Sequence, residues 1–458
     1  MELKNKKVAV LGAGISGAYS VRLLFNCGAK VFLSESRKKE VTKEYSGIMP
    51  DQIEKEYGGH SKRVLESDLI VISPGIPLDI PILKEAKAKG ISIIGEIELA
   101  FPFIKAPIVA ITGANGKTTT TTLMGKIFSD SGKKTIVGGN IGMPLCSFIN
   151  EDTTWDKAEI VVSEISSFQL ETIIDFKPKV SMTLNVSDNH LDRYNSFEEY
   201  VQAKEMIFKN QTENDFAVLN MDCGRVFEMK DKTKAHKIYF SIKNEVKEGL
   251  FLRDKTIISR IAGKEQELCN ISDTNLLGSH NVENIMAASA AGLILGVSVE
   301  SIKRTLKEFK GLENRIEFVK EVNGIKYIND SKATNVDAIM RALESVGNSE
   351  SQVGLIMGGR YKGGDFGLLA PLIREKVKNV VLMGESKDII EKLLLAKDSS
   401  VKEKIKKISN MADAVEKAGE SLGKTGFVLL SPGCSSFDMF KDYKERGKIF
   451  KEEVLKIR

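Results

Sequence analysis

One stretch limits the possible folds more than any other. The apolar run Ile108-Val109-Ala110-Ile111 leads directly into Thr112-Gly113-Ala114-Asn115-Gly116-Lys117-Thr118-Thr119, and a helical pattern follows to about Ser129. A strand, a glycine loop and a helix in that order make a phosphate cradle at the edge of a parallel sheet. Glycines let peptide N–H groups wrap phosphate oxygens, and the helix start adds positive partial charge. Lys117 can reach terminal phosphates and the Thr118 hydroxyl can ligate Mg²⁺. The usual form of this loop has a glycine where this chain has Ile111, so the loop is a shortened variant. A second expected strand, 159–163, ends in Glu164, and a carboxylate beside such a loop can hold Mg²⁺ directly or through water.

The remaining chain has the same α/β character. From residue 7 to about 104, short strands at Val8–Leu11, Val31–Leu33, Leu69–Ser73 and Ile91–Ile94 alternate with amphipathic stretches, which implies a parallel sheet. Phe101 to Pro107 is expected to be a linker. A third series opens at Leu312, where Asn323-Gly324 between two alternating runs predicts a tight hairpin. Further strands are expected at Val353–Met357, Val380–Met383 and Phe427–Leu430. The strand Phe427–Leu430 is expected to turn through Ser431-Pro432-Gly433 into a helix bearing Ser436. With 458 residues, two to four domains are expected. The expected extents are 1–104, 105–311 and 312–458.

Composition narrows the function classes. A net charge of +5 on 458 residues gives no support for nucleic-acid binding, which would need a clustered basic face. The longest apolar stretch, Met286 to Val297, is too short for a membrane span. Five widely spaced cysteines without a CxxC pair argue for a reducing compartment and against a disulfide framework or zinc site. No signal peptide precedes the first strand, so the expected location is cytoplasmic.

Two further features bear on chemistry. Gly12-Ala13-Gly14-Ile15-Ser16-Gly17 satisfies GxGxxG between a strand and a helix, with Glu35 about twenty residues on. Read alone this is a dinucleotide fingerprint, yet such loops also hold other phosphates. Ser196 and Glu199 open a helix whose apolar stripe of Phe197, Tyr200, Val201, Ile207 and Phe208 includes Lys204. From the residues alone, Lys204 is expected to snorkel to water past its apolar stem.

Seven strings in register resemble the Mur ligases, along essentially the whole chain. They are the phosphate loop, Ser163 to Glu171 (SEISSFQLE), Gly139-Asn140-Ile141-Gly142, Asn189 to Tyr194 (NHLDRY), Gly278 to Asn284 (GSHNVEN), Asn329 to Asn335 (NDSKATN) and Ser431 to Phe437 (SPGCSSF). The SSFQL string and the N-terminal glycine loop favour the branch that adds D-glutamate over sibling ligases and folylpolyglutamate synthetases. The resemblance implies an α/β protein of three domains: a Rossmann-like N-terminal UDP-binding domain, a central P-loop ATPase-type domain, and a C-terminal Rossmann-like domain for the amino acid. It implies an ATP-dependent ligase joining D-glutamate to UDP-N-acetylmuramoyl-L-alanine through an acyl phosphate, acting as a monomer.

The resemblance also assigns residues. Gly14 and Ser16 would grip the UDP diphosphate, with Ser36, Arg37, Ser73 and Gly75 around the uridine and Asn140 touching substrate. ATP would lie on Gly113, Asn115, Gly116, Lys117, Thr118 and Thr119, with Asn281 and Asn284 near adenine. Arg315 and Lys332 would reach the phosphates and Asp330 the ribose; the residues alone would read Asp330 and Lys332 as a solvated pair. Two Mg²⁺ ions would be held by Thr118, Glu164, His190 and a carbamylated Lys204. Desolvation fits carbamylation, because only a neutral amine captures CO₂. D-Glutamate would sit among Thr334, Lys362, Ser436, Phe437 and Tyr443. Two positions depart from the family pattern: Asn314 stands where His is frequent, and Tyr361 where a small or acidic residue is.

Overall fold

The structure is a computed structural model that describes residues 2–41, 43–155, 158–186, 194, 196–276, 278–346, 352–423 and 425–457. Among these residues the strands form sheets of five, nine and six members. Two compact units result: Met1–Asp273 with Val282–Lys307, and Thr274–Asn281 with Glu308–Arg458.

The first sheet contains β1 (Lys7–Leu11), β2 (Lys30–Glu35), β3 (Glu54–Tyr57), β4 (Leu69–Ile72) and β5 (Ser92–Gly95), in the order β3-β2-β1-β4-β5. All its pairings are parallel. Val8, Ala9, Val10 and Leu11 are fully buried, as a strand covered on both faces requires. The chain leaves β1 to opposite sides for β2 and β4, so a crevice opens at the carboxyl end of β1.

The second sheet contains β6 (Ile108–Thr112), β7 (Thr135–Gly139), β8 (Ile160–Glu164), β9 (Val180–Thr183), β10 (Phe216–Asn220), β11 (His236–Ser241), β12 (Gly249–Arg253), β13 (Thr256–Ile261) and β14 (Lys264–Asn270). Its order is β14-β13-β12-β11-β10-β9-β6-β8-β7, parallel from β7 to β12 and antiparallel beyond. β6 lies between β8 and β9 and places its following loop at the switch point of this sheet.

The segment expected as a linker does not behave as a tether. Phe101–Phe103 forms a 3₁₀ turn after the helix Glu96–Ala100, and Ile104 is buried. One apolar core runs through both sheets, joining Leu24, Ile97 and Leu99 to Leu145, Ile149 and Phe176. Glu98, 1% exposed, accepts the N–H groups of Ile174, Asp175 and Phe176 at 2.8–3.0 Å.

The other unit contains β15 (Glu317–Val322), β16 (Ile325–Asn329), β17 (Gln352–Gly358), β18 (Val377–Met383), β19 (Ile405–Lys407) and β20 (Gly426–Gly433), in the order β15-β16-β20-β17-β18-β19. The hairpin expected at Asn323-Gly324 joins β15 and β16, with φ of 52° and 80° at the two turn residues. The helix expected after Phe427–Leu430 is absent at Ser436. β20 runs on through Gly433, Ser436 lies in a turn, and the next helix begins at Tyr443. Ser431 to Gly433 stay in the sheet because Gly433 pairs with Gly358 of β17.

Candidate functional site

The phosphate loop is fastened from three directions. Gly116 caps the helix Lys117–Asp130 with φ of 81°. A Cβ there would also lie 2.4 Å from Asn284 Oδ1, so glycine is required on two counts. Asn284 Oδ1 accepts Thr120 Oγ1–H at 3.1 Å, so this side chain, expected near adenine, buttresses the loop. Asn115 N–H donates to Asn185 Oδ1 at 2.8 Å, and Asn185 Nδ2 returns a bond to Asn115 O at 3.1 Å. Lys117 folds back, its Nζ donating to Gly113 O at 2.8 Å and Ala114 O at 3.1 Å. Thr118 and Thr119 are partly exposed in the first turn of that helix.

Lys204 reaches the same carbonyl. Ser196 caps its helix, Phe197–Glu205, by accepting Glu199 N–H, and Tyr200, Val201 and Ala203 turn inward with it. Snorkelling is overturned: Lys204 is 2% exposed and its Nζ donates to Gly113 O at 3.0 Å. Burial and then the nearby Lys117 charge hold the amine well below the ordinary lysine pKa.

Glu164 ends β8 beside this loop and is 3% exposed, which excludes a solvated strand end. Its Oε1 accepts Asn140 Nδ2–H at 3.0 Å, while Oε2 is buried without a hydrogen-bond partner. Thr112 Oγ1, Ser163 Oγ and Thr183 Oγ1, at or next to the ends of β6, β8 and β9, are likewise buried and unpartnered. Such orphaned oxygens are costly unless a ligand satisfies them. A hard, oxygen-seeking cation fits the Glu164 oxygen. Among the described residues no three His, Cys, Asp or Glu side chains converge; hydroxyls, a modified lysine, water or substrate phosphate are chemically suited to join Glu164 around such a cation. His190 lies outside the described residues.

At the first sheet's crevice, Gly12 has φ of 95° and a Cβ on Gly17 would lie 1.8 Å from Gly12 O, whereas space beside Gly14 is open. Backbone N–H groups can therefore approach a phosphate at Gly14, with partly exposed Ser16 two residues on. Ser73 Oγ faces Gly12 O at 3.4 Å across the crevice and Gly75 is exposed beyond it. Glu35 is not offered to a ribose. It accepts Ala13 N–H and Arg37 N, Nε and Nη2 at 2.7–3.0 Å. Burial alone would raise its pKa, but the bonds from Arg37 and Ala13 bring it down to about 2. Ser36 and Arg37 are exposed at this rim.

In the other unit, Asp330 is 7% exposed, which overturns the solvated pair. Its Oδ2 accepts Ser431 Oγ–H at 3.0 Å and its Oδ1 Ile316 N–H at 3.3 Å. Lys332 lies with Nζ 3.9 Å from the centre of the Tyr443 ring. Asn314 has φ of 63°, a conformation that suits Asn, and its Oδ1 accepts Asn329 Nδ2–H at 3.1 Å. It is 5% exposed and thus turned inward, while Arg315 beside it is exposed. Asn281 is 7% exposed and donates its N–H to Gly278 O. Thr334 is exposed, Ser436 is buried, and exposed Lys362 lies 5.6 Å from the Phe437 ring centre. Tyr361 donates its hydroxyl to Gly364 O at 2.8 Å and so shapes the Lys362 turn.

Sequence reasoning missed Asn185 and Arg446. Arg446 is 2% exposed and donates to Ser331 Oγ, Ser331 O and Cys434 O at 2.8–3.1 Å. The signal was present for Arg446, since Phe450 and Val454 follow it at four-residue spacing. For Asn185 the signal was a polar residue two positions past a fully buried strand.

Residues 6–95 match the Mur ligase MurD-like N-terminal domain, 111–292 the Mur ligase middle domain, and 314–434 the Mur ligase glutamate ligase domain. The UDP-N-acetylmuramoylalanine–D-glutamate ligase of Koribacter versatilis is 43% identical over 461 residues, covering 100% of this chain and 99% of the relative. The ligase of that name from Geotalea daltonii is 45% identical over 457 residues, covering 99% and 98%. The fold matches the solved UDP-N-acetylmuramate-alanine ligase of Thermotoga maritima with TM-score 0.57 at 20% identity, covering 98% of this chain and 99% of that one. With full-length relatives this similar and all three domain types in order, the chain belongs to the Mur ligase family.

Proposed function

We propose that this chain joins D-glutamate to UDP-N-acetylmuramoyl-L-alanine, forming ADP and phosphate, in peptidoglycan precursor synthesis. Its full-length relatives at 42–45% identity bear that activity in their names. The structural observation that carries the reading is the pairing of a phosphate loop with the buried, unpartnered oxygen of Glu164. The enzyme works as a cytoplasmic monomer of three domains, 1–104, 105–311 and 312–458. No helix among the described residues is long and apolar enough to cross a membrane, and all five cysteines are free.

A carboxylate is a poor electrophile, so the L-alanyl carboxylate first attacks the γ-phosphorus of ATP and ADP leaves. The amine of D-glutamate then attacks the acyl phosphate carbonyl, the C–O bond to phosphate breaks, and an amide remains after proton loss. Gly113, Asn115, Gly116, Lys117, Thr118 and Thr119 orient the ATP phosphates, and Lys117 offsets their charge. Asn284 serves the nucleotide through the loop it buttresses, and the family resemblance assigns Asn281, Arg315, Asp330 and Lys332 to the same ligand. Gly14, Ser16, Ser36, Arg37, Ser73 and Gly75 take the UDP group, and Asn140 approaches the sugar-borne substrate. Thr334, Lys362, Ser436, Phe437 and Tyr443 receive D-glutamate, with Lys362 opposite a carboxylate. Thr118, Glu164, His190 and a carbamylated Lys204 would hold two Mg²⁺ ions, which supply neutralising charge for phosphoryl transfer.

The test offers D-glutamate, L-glutamate, L-lysine and meso-diaminopimelate to the enzyme with ATP and UDP-N-acetylmuramoyl-L-alanine, and follows ADP release. D-Glutamate should be strongly preferred. Preference for a diamino acid would reassign the chain to a sibling activity.

A further inference from the structure

We propose that Asn185 is the positioning residue that holds the phosphate loop in its nucleotide-accepting shape. The loop lacks the leading glycine of the usual pattern, with Ile111 in its place. Something else must fix its first half, and Asn185 does so with three bonds. Its carbonyl accepts Ala114 N–H at 2.9 Å, its Oδ1 accepts Asn115 N–H at 2.8 Å, and its Nδ2 donates to Asn115 O at 3.1 Å. A side-chain amide that accepts the N–H and donates to the C=O of one residue copies a strand pairing and fixes the two peptide units flanking that residue. No other uncharged side chain of this length presents donor and acceptor together.

The clamp is itself anchored. Asn185 follows β9, and the carbonyl of its neighbour Leu184 accepts Asn220 Nδ2–H at 2.9 Å from the end of β10. Asn220 is 2% exposed and its Oδ1 accepts Asp222 N–H at 2.9 Å, so the anchor is fixed in turn. Leu184 Cβ and Asn185 N also lie 3.2 and 3.4 Å from where a Cβ on Gly113 would stand. The loop is thus cast against the Leu184-Asn185 corner, and ligand binding finds it already shaped. Such preorganisation is the means by which a loop gains affinity without adding a contact.

This inference rests on the ligase reading only in taking the loop's ligand to be a nucleotide polyphosphate. Asn185→Ala in the full chain should weaken ATP binding, measured by calorimetry without the acceptor substrate, by roughly tenfold. It should leave UDP-substrate affinity within about twofold, because that site lies on the first sheet. In steady state, KM for ATP should rise by more than kcat falls. ATP affinity unchanged in a folded Asn185→Ala protein, or UDP-substrate affinity falling equally, would overturn the assignment. Should Asn185→Ala not fold, amide hydrogen exchange on the nucleotide-free wild-type chain decides. The Ala114 and Asn115 amides should be protected, and exchange at open-loop rates would overturn the clamp. A wild-type chain that binds no adenine nucleotide refutes the ligase reading itself, whereas binding that survives Asn185→Ala refutes only the role of Asn185.

Discussion

The carboxyl of Asp330 makes the stability of the third sheet depend on pH, with a sign opposite to that of an ordinary paired acid. Burial raises its pKa from an ordinary 3.8 to about 7, against the opposing pull of the Ser431 hydroxyl, the Ile316 N–H and the Arg315 charge. Between about pH 4 and pH 7 the folded chain keeps a proton that the unfolded chain releases. Stability is therefore greatest below that window and falls as pH rises through it. A shift of this size corresponds to a limit of about 4 kcal/mol, and relaxation of the site brings the expected loss to about 2–3 kcal/mol. Asp330→Asn removes the titration while keeping the shape. Its Oδ1 can accept Ile316 N–H, and its amide can donate to Ser431 Oγ once that hydroxyl rotates. The assay is urea denaturation at pH 5 and pH 7.5, following amide exchange in β16 and β20, whose ends carry Asp330 and Ser431. Wild type should lose stability between the two values and Asp330→Asn should lose much less, so that the variant is the more stable at pH 7.5. Equal slopes for the two proteins would refute the reasoning, as would a wild type that gains stability through this site as pH rises.

Three further outcomes are expected. Lys117→Ala should lose most ligase activity while UDP-substrate affinity, read by calorimetry, stays within about twofold, because the two sites lie on different sheets. Lys204→Ala should be inactive and regain partial turnover with added formate or acetate, which would fill a missing carbamate; rescue by a small amine instead would mean that the ammonium is the working form. Glu98→Ala strands three amides at the junction of the first two sheets and should cost about 2–4 kcal/mol, seen as one denaturation transition separating into two.

The parallel strands, the hairpin and both glycine loops were legible because their signals are local. Apolar runs of strand length, Asn-Gly between them, and glycines where φ must be positive all announce themselves within a few residues. β3 was not legible: Glu54-Lys55-Glu56-Tyr57 is charged and partly exposed, and it is a strand only because β2 offers an edge. The antiparallel extension from β12 to β14 also went unread, since its polar edge strand Lys264–Asn270 depends on pairing with β13. The segment expected as a linker is more closely packed than its composition suggests, for a related reason. Phe101 and Phe103 look like a break between domains, yet Phe101 packs edge-on against Phe176, seventy-odd residues later.

The two buried cations show most sharply where local reading stops. Lys204 and Arg446 have the same signature, a basic residue inside the apolar stripe of a helix, and each is 2% exposed. Their physical states differ because their partners do. Arg446 is surrounded by the Ser331 hydroxyl and the carbonyls of Ser331 and Cys434, enough acceptors to keep a guanidinium charged although burial lowers its pKa to about 10. Lys204 has the Gly113 carbonyl, the Tyr200 ring 4.5 Å from its Nζ and, close by, the second ammonium of Lys117, and burial and like charge push its pKa well down. One arrangement builds a structural clip and the other an amine of lowered pKa beside a phosphate loop. What separates them is supplied by Gly113 and Lys117, about ninety residues from Lys204 in the chain, and no pattern within either helix encodes it.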